Sequence, residues 1–287
     1  MVHFIIFDDI LHPDPRDKYL YYGGLRKDQL EFIENDLKFV PKDHLVVLAM
    51  HIPLTEKFWG DTFRDEDRNK LFELLKPFPY TLSLSAHTHI QNQDFISSDD
   101  GWLQEKDHCQ YNVGTTCGDW YSGQMDENKL PVSTMRDGTR KGYAFISFTK
   151  NQYVIDYKVA GKNSDYQFEI YAPKNIRQSK ESSYEIAVNY FMGSELDSVY
   201  YKIDDGNWKL MKYKKSVDPS YYHSVQEWDY FDHLPDGTRP SNPIPCNHLW
   251  VSDLPSNLDL GNHIINIKTT DRYGRLLLQT KEFRVVE

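Results

Sequence analysis

Three of the eleven histidines stand where strand ends are expected. His51 directly follows the apolar run Leu45–Met50, in Ala49-Met50-His51-Ile52-Pro53. His87 and His89 follow the next strand-like run, Thr81–Ser85, in Ser85-Ala86-His87-Thr88-His89. Neutral imidazoles are common ligands for divalent transition metals. Adjacent strand ends in an α/β sheet open on the crevice where such sheets bind ligands. Alternate residues of an extended chain share a face, so His87 and His89 are expected to point the same way. His51, His87 and His89 are therefore candidate metal ligands. A single histidine at a strand end is more commonly a hydrogen-bonded structural residue. The succession strand–His, helix, strand–His-x-His is what favours a metal.

The elements that must position these residues can be read from periodicity. Val2–Phe7 reads as a strand. Lys27–Lys38 reads as a helix, with Leu30, Ile33 and Leu37 on one face and Pro41 beyond its end. Leu45–Met50 is a continuous apolar run, expected as a strand buried on both faces. Asp65–Lys76 reads as a helix, with Leu71, Phe72 and Leu75 inward and Pro77 and Pro79 closing it. Alternating strands and helices predict an α/β layer structure. After about residue 90 the helical pattern stops. Tyr143–Thr149 and Gln152–Tyr157 read as a hairpin around Lys150-Asn151. Beyond residue 163 come Gln167–Tyr171, Tyr184–Tyr190, Ser198–Ile203, Trp208–Tyr213, Ile264–Thr269 and Thr280–Val286. These are short β-rich runs separated by turn residues such as Asp204-Asp205-Gly206-Asn207, and they predict an all-β sandwich of immunoglobulin-like type. Asp236–Pro245 reads as a surface loop. The boundary is placed near Gly161–Ser164, giving domains 1–162 and 163–287.

Composition removes several function classes. The 287 residues carry a formal charge of −10, with a pI near 5.6. An acidic chain repels phosphate backbones, so nucleic-acid binding through a basic surface is not expected. Its apolar runs fall far short of the roughly 20 residues that cross a bilayer as a helix. Met1–Phe4 has neither a basic segment nor an apolar core of signal-peptide type. The three cysteines, Cys109, Cys117 and Cys246, form no CxxC pair and are expected to be plain buried thiols. There is no GxSxG elbow, GxxxxGK[ST] loop or HExxH helix. Cys117 beside Asp119 has no histidine close in sequence to activate it. Asp8-Asp9 is either a ligand pair at a strand end or, the favoured reading, a solvated strand terminus. Lys212–Lys215 reads as a basic guard on a strand edge. Trp208, Tyr221, Tyr222, Trp228, Tyr230 and Phe231 are either packing residues or a sugar platform.

With these residues in view, the chain resembles the carboxy-terminal part of a calcineurin-like metallophosphoesterase, in a bacterial branch with an extra C-terminal β-domain. That family reads, in order, DxH, GDxxD, GNH followed by Asp or Glu, a later His before x-Pro, and GHxH. His51 matches the fourth block. Ala86-His87-Thr88-His89 matches the fifth, with Ala86 for glycine. Gly114–Gly123, Arg136–Tyr143, Asn247–Trp250 and the stretch from Gly261-Asn262-His263 to Arg275 are similar to later segments of that branch. The resemblance implies half of an αββα sandwich over 1–162. It implies divalent ions of the manganese, iron or zinc class, His51 and His87 on one ion and His89 on the other. It further implies a phosphate mono- or diester substrate and a periplasmic or extracellular home.

The family's first three blocks are missing. Asp9 and His12 are separated by two residues rather than one. Gly60-Asp61 is followed by Asp65 at the wrong spacing, and Gly261-Asn262-His263 comes after the HxH. A two-metal site needs carboxylates to neutralise and bridge its ions. Three imidazoles can hold one ion and supply no bridge. The expectation is a portion of a longer enzyme, weakly active or inactive alone, holding one metal ion or none. An exposed half-sandwich, with the apolar face of Leu45–Met50 uncovered, is expected to self-associate. The other reading is a non-catalytic module binding a glycan or a protein through its aromatic β-domain.

Overall fold

The structure is a computed structural model that describes all residues except 16, 17, 19, 57–62, 122, 124, 127, 128 and 234–236. Gly60, Asp61 and Asp236, which entered the motif and loop readings, lie outside the described residues. The chain divides into two compact units that interleave along the sequence. Unit 1 comprises residues 1–88, 93–113 and 146–155, and unit 2 comprises 89–92, 114–145 and 156–287.

Unit 1 is built on strands β1 (Val2–Ile6), β2 (Leu45–Ala49), β3 (Thr81–Ser85), β4 (Asn92–Ile96) and β5 (His108–Asn112), with helices α1 (Lys27–Leu37) and α2 (Asp65–Leu75). The sheet order is β1-β2-β3-β5-β4, and β1, β2, β3 and β5 run parallel. The alternation of strand and helix seen in the sequence thus yields the expected parallel sheet. The helices form because their apolar residues recur at helical spacing. Ile33 and Leu37 of α1, and Leu71, Phe72 and Leu75 of α2, enter one core with Ile5, Val46, Leu48 and Trp102. Burial of such side chains stabilises by about 1.5–3 kcal/mol each.

Two expectations for this sheet are corrected. Leu45–Leu48 are covered on both faces, so β2 exposes no apolar surface. The open apolar surface belongs to β1, the edge strand, where Ile5 packs inward while Phe4 and Ile6 are 50% and 77% exposed. Strand β5 was not foreseen. Its sequence, His-Cys-Gln-Tyr-Asn, is fully buried, because distant groups satisfy its polar side chains. His108 shares hydrogen bonds with the hydroxyls of Thr81 (2.8 Å) and Ser83 (2.9 Å), and the Gln110 Oε1 accepts from Leu54 N (2.7 Å).

A hairpin of β6 (Gly142–Thr149) and β7 (Gln152–Val159) lies where the sequence placed it. Unit 2 is mainly β. Strands β8 (Phe168–Tyr171), β10 (Glu185–Tyr190), β13 (Lys212–Tyr213) and β14 (Leu249–Asp253) form an antiparallel sheet in the order β8-β10-β14-β13. The basic run at Lys212 therefore sits on an edge, as read. Strands β9 (Asn175–Arg177), β11 (Val199–Ile203), β12 (Lys209–Leu210), β15 (Gly261–Thr270) and β16 (Leu276–Val286) form a second sheet in the order β9-β16-β15-β11-β12. All its pairs are antiparallel except β9 with β16. The single strand read over Trp208–Tyr213 is thus two short strands, one in each sheet.

The all-β expectation fails over α3 (Pro219–Asp229). Asp218 caps this helix by accepting from Tyr221 N (2.8 Å), and Pro219 occupies its first turn, where a missing N–H costs nothing. Tyr221, Val225 and Trp228 are its buried face. Gly138 must be glycine: its φ is +86°, and a Cβ there would collide with the Asp218 carboxyl. Among the described residues, no helix is long and apolar enough to cross a membrane.

Candidate metal centre

His51 and His87 stand at the ends of neighbouring parallel strands, and the structure brings them together. Ala86 N donates to His51 O (3.0 Å), joining the two strand-end bends. His51 Nε2 lies 3.1 Å from His87 Nδ1. The rings meet edge to face, with centroids 4.9 Å apart, and Tyr21 packs on His87 from another side at 5.8 Å.

The loop carrying His51 is fixed by Asp9, which is 1% exposed. Its two carboxylate oxygens accept from His51 N (3.0 Å) and Ile52 N (2.6 Å). Burial pushes the Asp9 carboxyl above its usual range, against the pull of these two N–H donors. The reading of Asp8-Asp9 as a solvated terminus is correct only for Asp8, an exposed partner of Arg26 (3.1 Å). Asp9 is a positioning residue that the sequence reading missed. The available signal was its place after an apolar strand, the same kind of place that singled out His51.

The extended backbone on which a shared orientation of His87 and His89 was expected is not found. Both residues are in the left-handed region, with φ of 69° and 54°. Such a conformation costs an ordinary residue roughly 1–2 kcal/mol, and it concentrates at functional sites. The turn is held by Asn112, whose Nδ2 donates to Thr88 Oγ1 (2.7 Å).

By residue, His89 belongs to unit 2 and has its own partners there. Its Nδ1 lies 2.6 Å from Asp119 O, and its ring packs on Trp120 with centroids 4.9 Å apart. A carbonyl only accepts, so Nδ1 is the nitrogen carrying hydrogen. In the neutral ring Nε2 then keeps a lone pair, the arrangement that orients ligating histidines.

Two imidazole nitrogens on one ion, each at about 2.0–2.1 Å, lie roughly 2.9–3.4 Å apart for angles between octahedral and tetrahedral. The His51–His87 separation fits that window, and it is also the distance of the hydrogen bond that the two rings share. Among the described residues, no three or more His, Cys, Asp or Glu side chains are grouped to hold a metal. Asp9 is engaged with backbone N–H groups.

The remaining candidates have structural surroundings. His263 lies in β15, 2.7 Å from Asp204 Oδ2. His248 is 1% exposed, with Asn189, Gln91 O and Asp137 around its ring at 2.7, 3.0 and 3.3 Å. The Cys246 thiol is pushed well up by burial. Cys117 is exposed, and its thiol meets Gly118 O rather than a base.

The family model described as "C terminal of Calcineurin-like phosphoesterase" (MetallophosC) matches residues 110–276. The three histidines precede that span. Two solved structures show a loose likeness. CopC from Methylosinus trichosporium OB3b is 14% identical over 40% of this chain and 84% of its own, with a TM-score of 0.20. The sulfane dehydrogenase SoxCD from Paracoccus pantotrophus is 10% identical over 62% of this chain and 34% of its own, with a TM-score of 0.16. Neither likeness carries an argument at those scores. No curated protein matches the sequence.

Proposed function

Since the chain belongs to the family of C-terminal regions of calcineurin-like phosphoesterases, we propose that it is part of a metal-dependent phosphoesterase acting on phosphate mono- or diesters. His51 and His87 would hold one divalent ion, and His89 would offer its Nε2 to a second. The observation that carries this reading is the 3.1 Å separation of His51 Nε2 and His87 Nδ1. An ion held there would supply Lewis acidity towards a phosphoester. Within this chain, Asp9 sets the His51 loop, the Asn112–Thr88 bond sets the His87 turn, and the Asp119 carbonyl sets the His89 tautomer. Unit 1 is read as part of an αββα sandwich and the two sheets of unit 2 as an immunoglobulin-like sandwich.

The carboxylates of the DxH and GDxxD blocks are not in this sequence in the family's pattern. The chain alone is therefore expected to bind one ion and to hydrolyse an aryl phosphate slowly or not at all. Calorimetric titration with zinc or manganese tests the first point. Saturable binding of one ion per chain is expected, weakened at least about tenfold by His51→Ala and by His87→Ala, since each removes a direct ligand. Binding untouched by both substitutions, or no binding, would overturn the metal reading. Turnover of an aryl phosphate at the rate of an intact two-metal enzyme would overturn the expectation of low activity.

A further inference from the structure

Unit 2 contains a cavity of about 240 Å³ that the metal reading leaves without a role. Its walls include Trp120, Tyr221, Trp228 and Phe231, together with the carboxylates of Asp119 and Glu227. One face of α3 supplies Tyr221, Glu227 and Trp228, and the segment after Cys117 supplies Asp119 and Trp120. Asp119 is 5% exposed, and its buried Oδ2 has no hydrogen-bond partner. A buried carboxylate oxygen without a donor is costly unless something positive meets it. Among the described residues no lysine or arginine lines the cavity, and Glu227 has its own partner in His223, 3.4 Å away. The arginines whose charge reaches Tyr221 are Arg136 and Arg239. Arg239 is held by Asp229 (2.5 and 2.8 Å), and Arg136 Nε donates to Asn242 O (2.8 Å).

We propose that this cavity binds an organic ammonium group, seated between the aromatic rings and facing Asp119. Ring faces attract cations, and aromatic walls with a carboxylate suit quaternary and alkylated ammonium ions. The volume is below the roughly 300–1,000 Å³ of drug-sized pockets, which favours a compact headgroup of choline or aminoethyl type. An anionic ligand would face two carboxylates. A neutral sugar would donate hydroxyls to Asp119 without neutralising its charge, and the comparison with glucose below separates the two. Trp120 also packs on His89, and the Asp119 carbonyl meets the His89 ring. The binding claim stands on the cavity alone. Identifying the ammonium as the alcohol side of the phosphoester rests on the metal reading of His89, and gives an amino-alcohol phosphoester as substrate.

Titration of the chain with choline, followed by tryptophan fluorescence and calorimetry, tests the proposal. The neutral isostere 3,3-dimethylbutan-1-ol and glucose serve as comparison ligands. Saturable choline binding is expected, at least about tenfold tighter than that of the isostere, the step expected when a desolvated cation–π and charge contact is lost. Asp119→Asn, which keeps the shape and removes the charge, is expected to weaken choline binding by a similar factor. Trp120→Ala, at a side chain 69% exposed, should do so without disturbing the fold. Equal binding of the isostere, preference for glucose, indifference to both substitutions, or no choline binding would each overturn the proposal. Zinc titration of the same variants separates the two readings. Loss of choline binding with zinc binding intact supports the ammonium site whatever becomes of the metal.

Discussion

Asp9 accepts two backbone hydrogens, and the buried Ile52 N–H has no water to turn to once the carboxylate is gone. Asp9→Ala is expected to cost about 1–3 kcal/mol in urea denaturation, the penalty of stranding a buried donor. It is also expected to weaken zinc binding at His51 by about tenfold, as loss of a residue behind a ligand does. Unchanged zinc affinity would show that His51 keeps its place without Asp9. At this scale the sequence was legible for residue type and position. His51, His87 and His89 were singled out because each follows a strand signal, and the structure brings the first two together. Their orientations were not legible. The left-handed backbone at His87 and His89 depends on Asn112 and on the strand-end turn, which join segments far apart in the chain. Asp119, noted in the sequence only as a neighbour of Cys117, gains a role only when α3 folds against it.

Among the elements, α1, α2, β2 and β3 declared themselves because each carries a one-dimensional pattern of its own. Strand β5 does not, since its burial is polar and its partners come from other strands. That same burial gives β5 a pH signature. The His108 imidazole is pushed down from 6.5 to about 3 because a charge there cannot be solvated. The unfolded chain therefore takes up a proton between pH 6.5 and 3 that the folded chain refuses. The stability associated with neutral His108 is fully present above pH 6.5 and falls as the pH drops towards 3, by up to about 1.4 kcal/mol per pH unit. Denaturant melts of the wild type and His108→Gln between pH 7 and 4 check this. The wild type should lose stability more steeply, whereas parallel curves would contradict the assignment. Helix α3 was missed for a different reason: its aromatic residues were weighed only as packing residues or a sugar platform. The available signal was Asp218-Pro219, a cap followed by proline in the first helical turn.

For the whole molecule, the fold class was legible where whole runs of residues agreed, as a parallel α/β sheet followed by a mainly β region. The interleaving of the two units was not, because it depends on contacts between distant segments. Among the described residues β1 is the outermost strand of its sheet, with Ile6 exposed and Phe4 half-exposed against Phe148, the kind of edge that pairs with another chain. Concentration-dependent self-association by light scattering is the expected outcome, reduced by Ile6→Lys. A wild type that stays monomeric at all concentrations would contradict it. The metal reading has a more direct test than any variant. A crystal grown with zinc and measured at the zinc absorption edge should show an anomalous peak between His51 Nε2 and His87 Nδ1, about 2.0–2.1 Å from each. A map with no peak there, and with the two rings still hydrogen-bonded to each other, would contradict the assignment of a metal to this strand end.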